Sequence, residues 1–425
     1  MSATYNLDNF RPVAVDTFSD DEVKRIAKQF YDGNGKPVNK EIWEKNFKNL
    51  NDAIDKSYSV VYDEQDVRMN YELRNNVAVF AAFKSWRMGN DVSKLLTDKD
   101  GNKRQWGDFL KQYEKTNKKY NRNWLSAEYA LAGRQANAAR MWQDFERDAD
   151  VYPNLKYMPS QSPEPRLAHQ QYYGIVKPIG DKFWNTNMPP SDWGCKCSVE
   201  QTMDEPTDHI VPERKLPKGI IGNPGKTGMI FSPDHPYIPK EKKNKQAVKE
   251  GFNQLRASLD NEYILYHGDK GTVSVSLNAD PDDYLENFGY AKTVSKKYDG
   301  AMEVRPHYRK KGSNPELDYN GTIGDRTEWK DAKTVKNFVS NSFFNKLEEG
   351  KQLSKFDETF IALDFAGKLN KENLNECADH LIGQFEKYKS VKYAFLKQGD
   401  KVVMIKPGYD TKYIVRKIKQ GLLNE

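Results

Sequence analysis

The sequence predicts a multidomain protein with a mainly α N-terminal part followed by an α/β C-terminal domain on a mixed sheet. Three observations predict this. Apolar residues recur at helical spacing through the first third; residues 204–240 hold many Pro and Gly and lead into the charged run EKKNKQAVKE; beyond that run short apolar segments alternate as strands do. The chain divides accordingly into a helical extension (1–34), a main N-terminal module (35–240), a linker (241–260) and an α/β domain (261–425).

Each element has its own warrant. Ser19 and Glu22 form a capping box ahead of Val23, Ile26, Ala27 and Phe30. Trp43, Phe47, Leu50 and Ile54 make a second helical stripe, Leu73, Val77, Phe80, Phe83 and Trp86 a third, and Ala127, Leu131, Ala138, Trp142 and Phe145 a fourth. These stripes read as bundle core and carry no chemistry. Past the linker, Tyr263–His267 and Thr272–Leu277 read as strands, and Asp282–Phe288 as a short helix ending at Gly289. Thr359–Leu363 follows as a buried strand, Leu374, Cys377, Leu381 and Phe385 as a helix, and Tyr393–Leu396 with Val402–Ile405 as a hairpin about Gly399.

With 425 residues the chain is long enough for two or three cores, and its 12% aromatic content argues against disorder throughout. No apolar run approaches membrane-spanning length, and MSATYNLDNFRPVAVD lacks the order of a signal peptide. Three cysteines argue against a disulfide framework and for a reducing compartment. A net charge of +6 permits nucleic-acid contact without demanding it; the Lys240–Lys245 run reads as a solvated face or as a nucleic-acid contact.

Two stretches concentrate chemistry. The first, residues 163–199, holds His169, Asp181, Phe183, Trp184, the Pro189–Pro190 pair, Trp193 and the Cys195-x-Cys197 dipole of thiols. The prolines stiffen a turn and the two Trp rings need burial, so a small core of its own is expected. A bond between Cys195 and Cys197 closes a strained ring, whereas two thiolates one residue apart can face one soft metal. His169, with Asp181 or His209, would complete a zinc site; two reduced, partly buried thiols are the alternative.

The second stretch is NPELDYNGTIGDRTEWKDAKTVKNFVSN. Asp318 leads into a turn at Asn320 and Gly321, and alternation puts Glu328 and Lys330 on one face. If the hairpin brings Asp318 near Glu328, two carboxylates and an ammonium converge, as a divalent ion, a water and a scissile phosphate require. An acid-x-Lys triplet alone is uninformative, since Glu213–Lys215 and Glu241–Lys243 match it in apparent loops.

The first stretch resembles the signature of the phage Mu F-like head morphogenesis proteins. Arg166, His169, Gly174, Pro178, Asp181, Phe183, Trp184, Pro189, Pro190, Trp193, Cys195 and Cys197 fill that pattern, with Lys196 where the family has Arg. The resemblance extends over roughly residues 35–240 and implies a minor head protein near the portal. Its partners would be portal and head or scaffold proteins, without membrane, and its places the virion head interior and the host cytoplasm.

The second stretch, with the amphipathic helix of Val335, Phe338, Val339, Phe343 and Leu347 after it, resembles the core of the PD-(D/E)xK nuclease fold. From Gly289 and Tyr290 onward the chain looks like the tRNA-nuclease domains of contact-dependent-inhibition toxins, in which a helix precedes a Gly-Tyr-x-Val strand. That resemblance implies an endonuclease acting on RNA, tRNA foremost, or on DNA, with Mg²⁺ or another divalent metal and an immunity protein as partner. Asp318, Glu328 and Lys330 take the catalytic positions, with Glu316 after Pro315 as the alternative acid and Glu286 or Asp283 as an upstream helical acid. Two other readings stand beside it. In one the whole chain is structural and its C-terminal domain binds DNA or portal; in the other that domain is a metal-independent ribonuclease of the barnase and colicin type using His267 and His307.

Overall fold

The structure, a computed structural model, describes residues 15–208, 215–308 and 314–423. They fall into two units, residues 15–60 with 68–255, and residues 61–67 with 256–423. Among the described residues no helix is long and apolar enough to cross a membrane.

The first unit opens with α1 (Asp20–Tyr31), α2 (Lys40–Ser57), α3 (Glu64–Ser93), α4 (Trp106–Lys118), a π-helical turn (Lys119–Trp124) and α5 (Leu125–Arg147). The expected capping box starts α1: the Glu22 amide donates to Ser19 Oγ and the Ser19 amide to Glu22 Oε2. Its stripe of Val23, Ile26, Ala27 and Phe30 is buried. On α2 Trp43 stacks on Phe47 at 5.4 Å and its indole N–H donates to the Ala78 carbonyl. In α5 the expected stripe is buried apart from Ala127, which is exposed.

Helical periodicity gave no sign of a buried cation in α3. Lys84 is fully buried there and pairs with Glu128 of α5, whose other oxygen accepts from the Tyr237 hydroxyl at 2.7 Å. Burial alone pulls the Lys84 ammonium below its usual range, and the Glu128 carboxylate opposes that pull.

After α5 the chain builds a three-stranded antiparallel sheet, order β2-β1-β3, from β1 (Asn154–Met158), β2 (Val176–Pro178) and β3 (Ser198–Thr202). The links are the single helical turns α6 (Leu167–Gln170) and α7 (Trp184–Asn187). A further turn, α8 (Pro224–Thr227), precedes α9 (Lys242–Leu255). Residues 241–260, expected as a linker, are therefore mostly helix: α9 buries Val248 and Phe252, with Phe252 6.1 Å from the Trp43 ring, and a 3-10 turn (Arg256–Leu259) follows.

The second unit is one eight-stranded mixed sheet, order β11-β10-β9-β8-β7-β6-β5-β4. Its elements run β4 (Tyr263–His267), β5 (Gly271–Ser276), α10 (Tyr284–Ser295), β6 (Gly300–Val304), β7 (Leu317–Tyr319), β8 (Thr322–Glu328), α11 (Val335–Leu347), β9 (Thr359–Asp364), α12 (Leu374–Lys387), β10 (Val391–Gln398), β11 (Lys401–Ile405) and α13 (Thr411–Ile418). Pairs joined through a helix are parallel, β5 with β6, β8 with β9 and β9 with β10; hairpin-joined pairs are antiparallel. Helices α11, α12 and α13 share one hydrophobic cluster with Ile361, Leu363, Ala394 and Leu396. The expected helix end at Gly289 is corrected: α10 runs through Gly289 and Tyr290, because the buried Tyr290 and Ala291 hold that turn on the sheet, and the next strand begins at Gly300.

The buried pair at Lys84 supplies the first test. Glu128→Ala leaves an uncompensated ammonium in the core and should lower unfolding free energy by about 3–5 kcal/mol, whereas Lys84→Met with Glu128→Leu should recover most of it. Urea denaturation followed by Trp fluorescence measures both.

Candidate functional site

In the first unit, His169 lies on α6 and the two thiols lie just before β3. The β1–β3 register, Met158 opposite Ser198, brings the Cys195–Cys197 segment back beside the α6 turn. The His169 Nδ1 atom is 3.6 Å from the Cys195 sulfur and 3.6 Å from the Cys197 sulfur. All three residues are buried, and their ligand atoms lie within 4.8 Å of one another. The Cys197 thiol, hydrogen-bonded to Cys195, draws the Cys195 thiol down, helped by His169 and opposed by burial; the same bond and burial push the Cys197 thiol up. Asp192 Oδ2 lies 3.9 Å from Nε2 on the far side of the imidazole and is salt-bridged to Arg166, which also donates to the Trp193 carbonyl.

The packing around this corner follows the expected small core. Trp184 is fully buried, donates to the Pro178 carbonyl at 3.1 Å, and shares a cluster with Trp142, Tyr157, Tyr172, Phe183 and both thiols. Trp193 is only partly buried, its ring edge-on to His235. Asp181 does not join the thiols, because its carboxylate accepts the Phe183 amide at 2.7 Å and starts the α7 turn. His209 lies outside the described residues, as does Glu213 of the comparison triplet.

In the second unit the expected quartet is divided. The hairpin has a two-residue turn, Asn320 (φ 52°) and Gly321 (φ 83°), and its register sets Asp318 opposite Ile323 and Leu317 opposite Gly324. Glu328 is five residues beyond Ile323, about 17 Å along the strand, and alternation turns it to the other face. The convergence of Asp318 with Glu328 and Lys330 is thus corrected. Asp318 accepts the Gly321 amide at 2.7 Å and braces the turn, while Glu328 and the exposed Lys330 form a surface pair at 3.5 Å.

The same register brings Glu316 opposite Asp325, and these two are hydrogen-bonded to each other. Glu316 also bonds to Asp283, which stands just before α10 and makes no side-chain cap bond to it, so three carboxyls form a chain with Glu316 in the middle. Asp325 is wholly buried and lies 3.0 Å from Lys346 Nζ of α11. Arg326, turned to the other face, reaches Asn287 of α10 at 2.8 Å. Burial raises all three acids first. Glu316 then raises Asp283 further, to about 7; the Asp325 charge adds to Glu316, and Lys346 opposes the rise at both Glu316 and Asp325. Glu286 is exposed on the first turn of α10.

The histidines of the metal-independent reading do not meet. His267 ends β4 beside Thr272, whose partner is Ala301, whereas His307 lies six residues past Ala301, about 20 Å along the strand, and pairs with Asp280 at 2.9 Å. Asp325 and Lys346 were missed by sequence reasoning. Counting back from Asn320–Gly321 would have paired Glu316 with Asp325; nothing local marks Lys346.

The family described as Phage Mu protein F like protein matches residues 90–200, which hold His169, Cys195 and Cys197. The chain is 31% identical over 75 residues to the putative capsid assembly protein F of Escherichia phage Mu, covering 18% of this chain and 17% of that protein. It is 36% identical over 64 residues to the Mu-like prophage FluMu F protein of Haemophilus influenzae, 15% of each. The chain therefore spans about one sixth of the length of these curated relatives. No solved structure matches the chain.

The raised acid at Asp283 gives a pH prediction. A carboxyl whose folded pKa is about 7 contributes stability that is present below its ordinary pKa and lost as pH rises toward 7. The melting temperature of the second unit should fall by several °C between pH 4.5 and 8, and Asp283→Asn should flatten that fall. Calorimetric scans across this range check it.

Proposed function

We propose that the chain is a minor head morphogenesis protein of a tailed phage or prophage, lodged near the portal, whose second unit is a metal-dependent endonuclease acting on RNA, tRNA foremost. The head role is supported by the match of residues 90–200 to the family described as Phage Mu protein F like protein and by a 75-residue similarity to the putative capsid assembly protein F of Escherichia phage Mu. Portal and other head proteins are the partners this role implies, and an immunity protein is implied by the nuclease.

The nuclease reading is carried by one observation, the pair Glu316–Asp325 facing each other across the β7–β8 hairpin with Asp283 beside them. The order α10, β6, β7, β8, α11, β9, with acids on β8 and just before β7 and the amphipathic α11 after them, supports the resemblance to the PD-(D/E)xK core. The acids differ from those first expected: Asp325 stands where Glu328 was expected, and Lys346 comes from α11 in place of Lys330.

The donor set suits a hard divalent ion, because it offers carboxylate oxygens only and holds buried acids whose raised pKa a double positive charge would relieve. When bound, such an ion supplies a Lewis acid and an activated water. Glu316 and Asp325 are the residues that would hold it. Asp283, pushed up to about 7, when protonated donates to Glu316 in a hydrogen bond and so fixes that carboxylate. Lys346, beside Asp325, holds an ammonium against the charge that develops on a phosphate under attack.

The test incubates the full chain with tRNA, rRNA and plasmid DNA, with Mg²⁺ and with EDTA. Cleavage should need Mg²⁺. Glu316→Gln and Asp325→Asn should each lower it about 100-fold or more, the upper range for disturbing a metal's surroundings. Asp318→Ala and Lys330→Ala should stay within about twofold of the parent, since neither side chain reaches the acid pair. Cleavage that survives EDTA, or no cleavage by a folded chain, removes the metal-dependent nuclease and leaves the head role standing.

A further inference from the structure

We infer that His169, Cys195 and Cys197 hold one Zn²⁺ ion, which ties the α6 turn to the start of β3. The inference rests on geometry in the first unit and is independent of the nuclease reading. Zinc bonds of about 2.3 Å to sulfur and about 2.0–2.1 Å to nitrogen, opened to a tetrahedral angle, put sulfur and nitrogen about 3.6 Å apart. Both sulfurs stand 3.6 Å from His169 Nδ1.

The two sulfurs stand equally far from one ring nitrogen. One small cation between the three atoms satisfies both distances at once. The opposite ring nitrogen meets Asp192, 3.9 Å away and fixed by Arg166 and the Trp193 amide, so the carboxylate lies on the Nε2 side and Nδ1 is turned toward the sulfurs. That order of carboxylate, imidazole and metal recurs around histidine ligands and orients the ring. Two thiolates neutralise the ion, so the buried site carries no net charge. Soft sulfur with imidazole selects zinc over magnesium or calcium.

Three protein ligands leave a fourth position. Cys195 and Cys197 border a cavity of about 700 Å³ that Arg134, Met188, Pro189 and Pro190 also line, and a water from it completes the tetrahedron. All three ligand residues are buried, so the ion would tie the α6 turn to the start of β3 from within the core.

The full chain, purified under reducing conditions with zinc supplied and then dialysed, should retain about one zinc per chain by elemental analysis. Replacement by Co²⁺ should give the thiolate charge-transfer absorption and the intense visible bands of a tetrahedral site. Cys195→Ser and Cys197→Ser should each lose the charge-transfer intensity in part and together in full, and Asp325→Asn should keep the zinc. If the thiol variants do not fold, the parent chain decides: a strong chelator should lower its melting temperature, with one equivalent of Zn²⁺ restoring it and Mg²⁺ failing to. A folded parent that retains under about a tenth of an equivalent and shows no cobalt charge transfer overturns the inference. So does a folded Cys195→Ser/Cys197→Ser chain that keeps its zinc, or a Cys195–Cys197 disulfide in the reduced preparation.

Discussion

The register of the β7–β8 hairpin is the constraint from which the chemistry of the second unit follows. Asn320 and Gly321 both take positive φ, a turn that matches the twist of the strands it joins and admits no extra residue. With the turn fixed, every pair along the ladder is fixed: Tyr319 with Thr322, Asp318 with Ile323 and Leu317 with Gly324, and Glu316, just before the strand, comes beside Asp325. Slipping the pairing by one residue would send Asp325 to the α10 face and Arg326 to the α11 face. Packing resists that slip, because Phe360 fills the space over Gly324 where a side chain would stand.

Placing three carboxyls in one buried chain costs free energy that the fold recovers only in part. Lys346 and Arg326 supply positive charge from opposite faces, yet burial still raises Asp283, Glu316 and Asp325 above the usual carboxylate range. A sheet built for stability alone would place apolar side chains at these positions, as β9 does with its fully buried Phe360, Ile361, Ala362 and Leu363. Clusters of perturbed acids beside a lysine are where proteins concentrate catalytic function. The contrast between two adjacent strands of one sheet, one with four consecutive buried apolar residues and one carrying the buried Asp325, is the physical content of the nuclease proposal.

Much of this was legible in the sequence where the determinant is local. The Ser19–Glu22 box, the α11 stripe of Val335, Phe338, Val339, Phe343 and Leu347, and the strand Tyr263–His267 each follow from residues within a few positions of one another. His169, Cys195 and Cys197 were singled out together in the sequence, and the fold brings their ligand atoms within 4.8 Å of one another. What failed depended on distant partners. Gly289 reads as a helix stop until Tyr290 is seen donating to the carbonyls of Leu363 and Phe395, more than 70 residues away. Nothing local marks the burial of Lys84, whose partner Glu128 is 44 residues away. Lys346 sits in the last turn of α11 like any helix-terminal cation, and only the parallel crossover to β9 brings that turn to Asp325.

The two candidate sites differ in what their surroundings already provide. The acid pair stands in a continuous sheet whose backbone bonds hold it whether or not a metal binds. The thiols and His169 stand between β1 and β3, where regular structure consists of two four-residue helical turns and the three-residue strand β2. Backbone bonding is sparse in such a segment, and loop ordering costs about 1–2 kcal/mol per residue. Trp184, Phe183, Tyr172 and Tyr157 bury apolar area in one cluster with both thiols and so offset part of that cost. The cross-link that joins its two ends is the group of His169, Cys195 and Cys197, three side chains whose mutual distances a single tetrahedral ion would explain. A brace is needed where the backbone supplies least, and that is where the sequence places its only Cys-x-Cys.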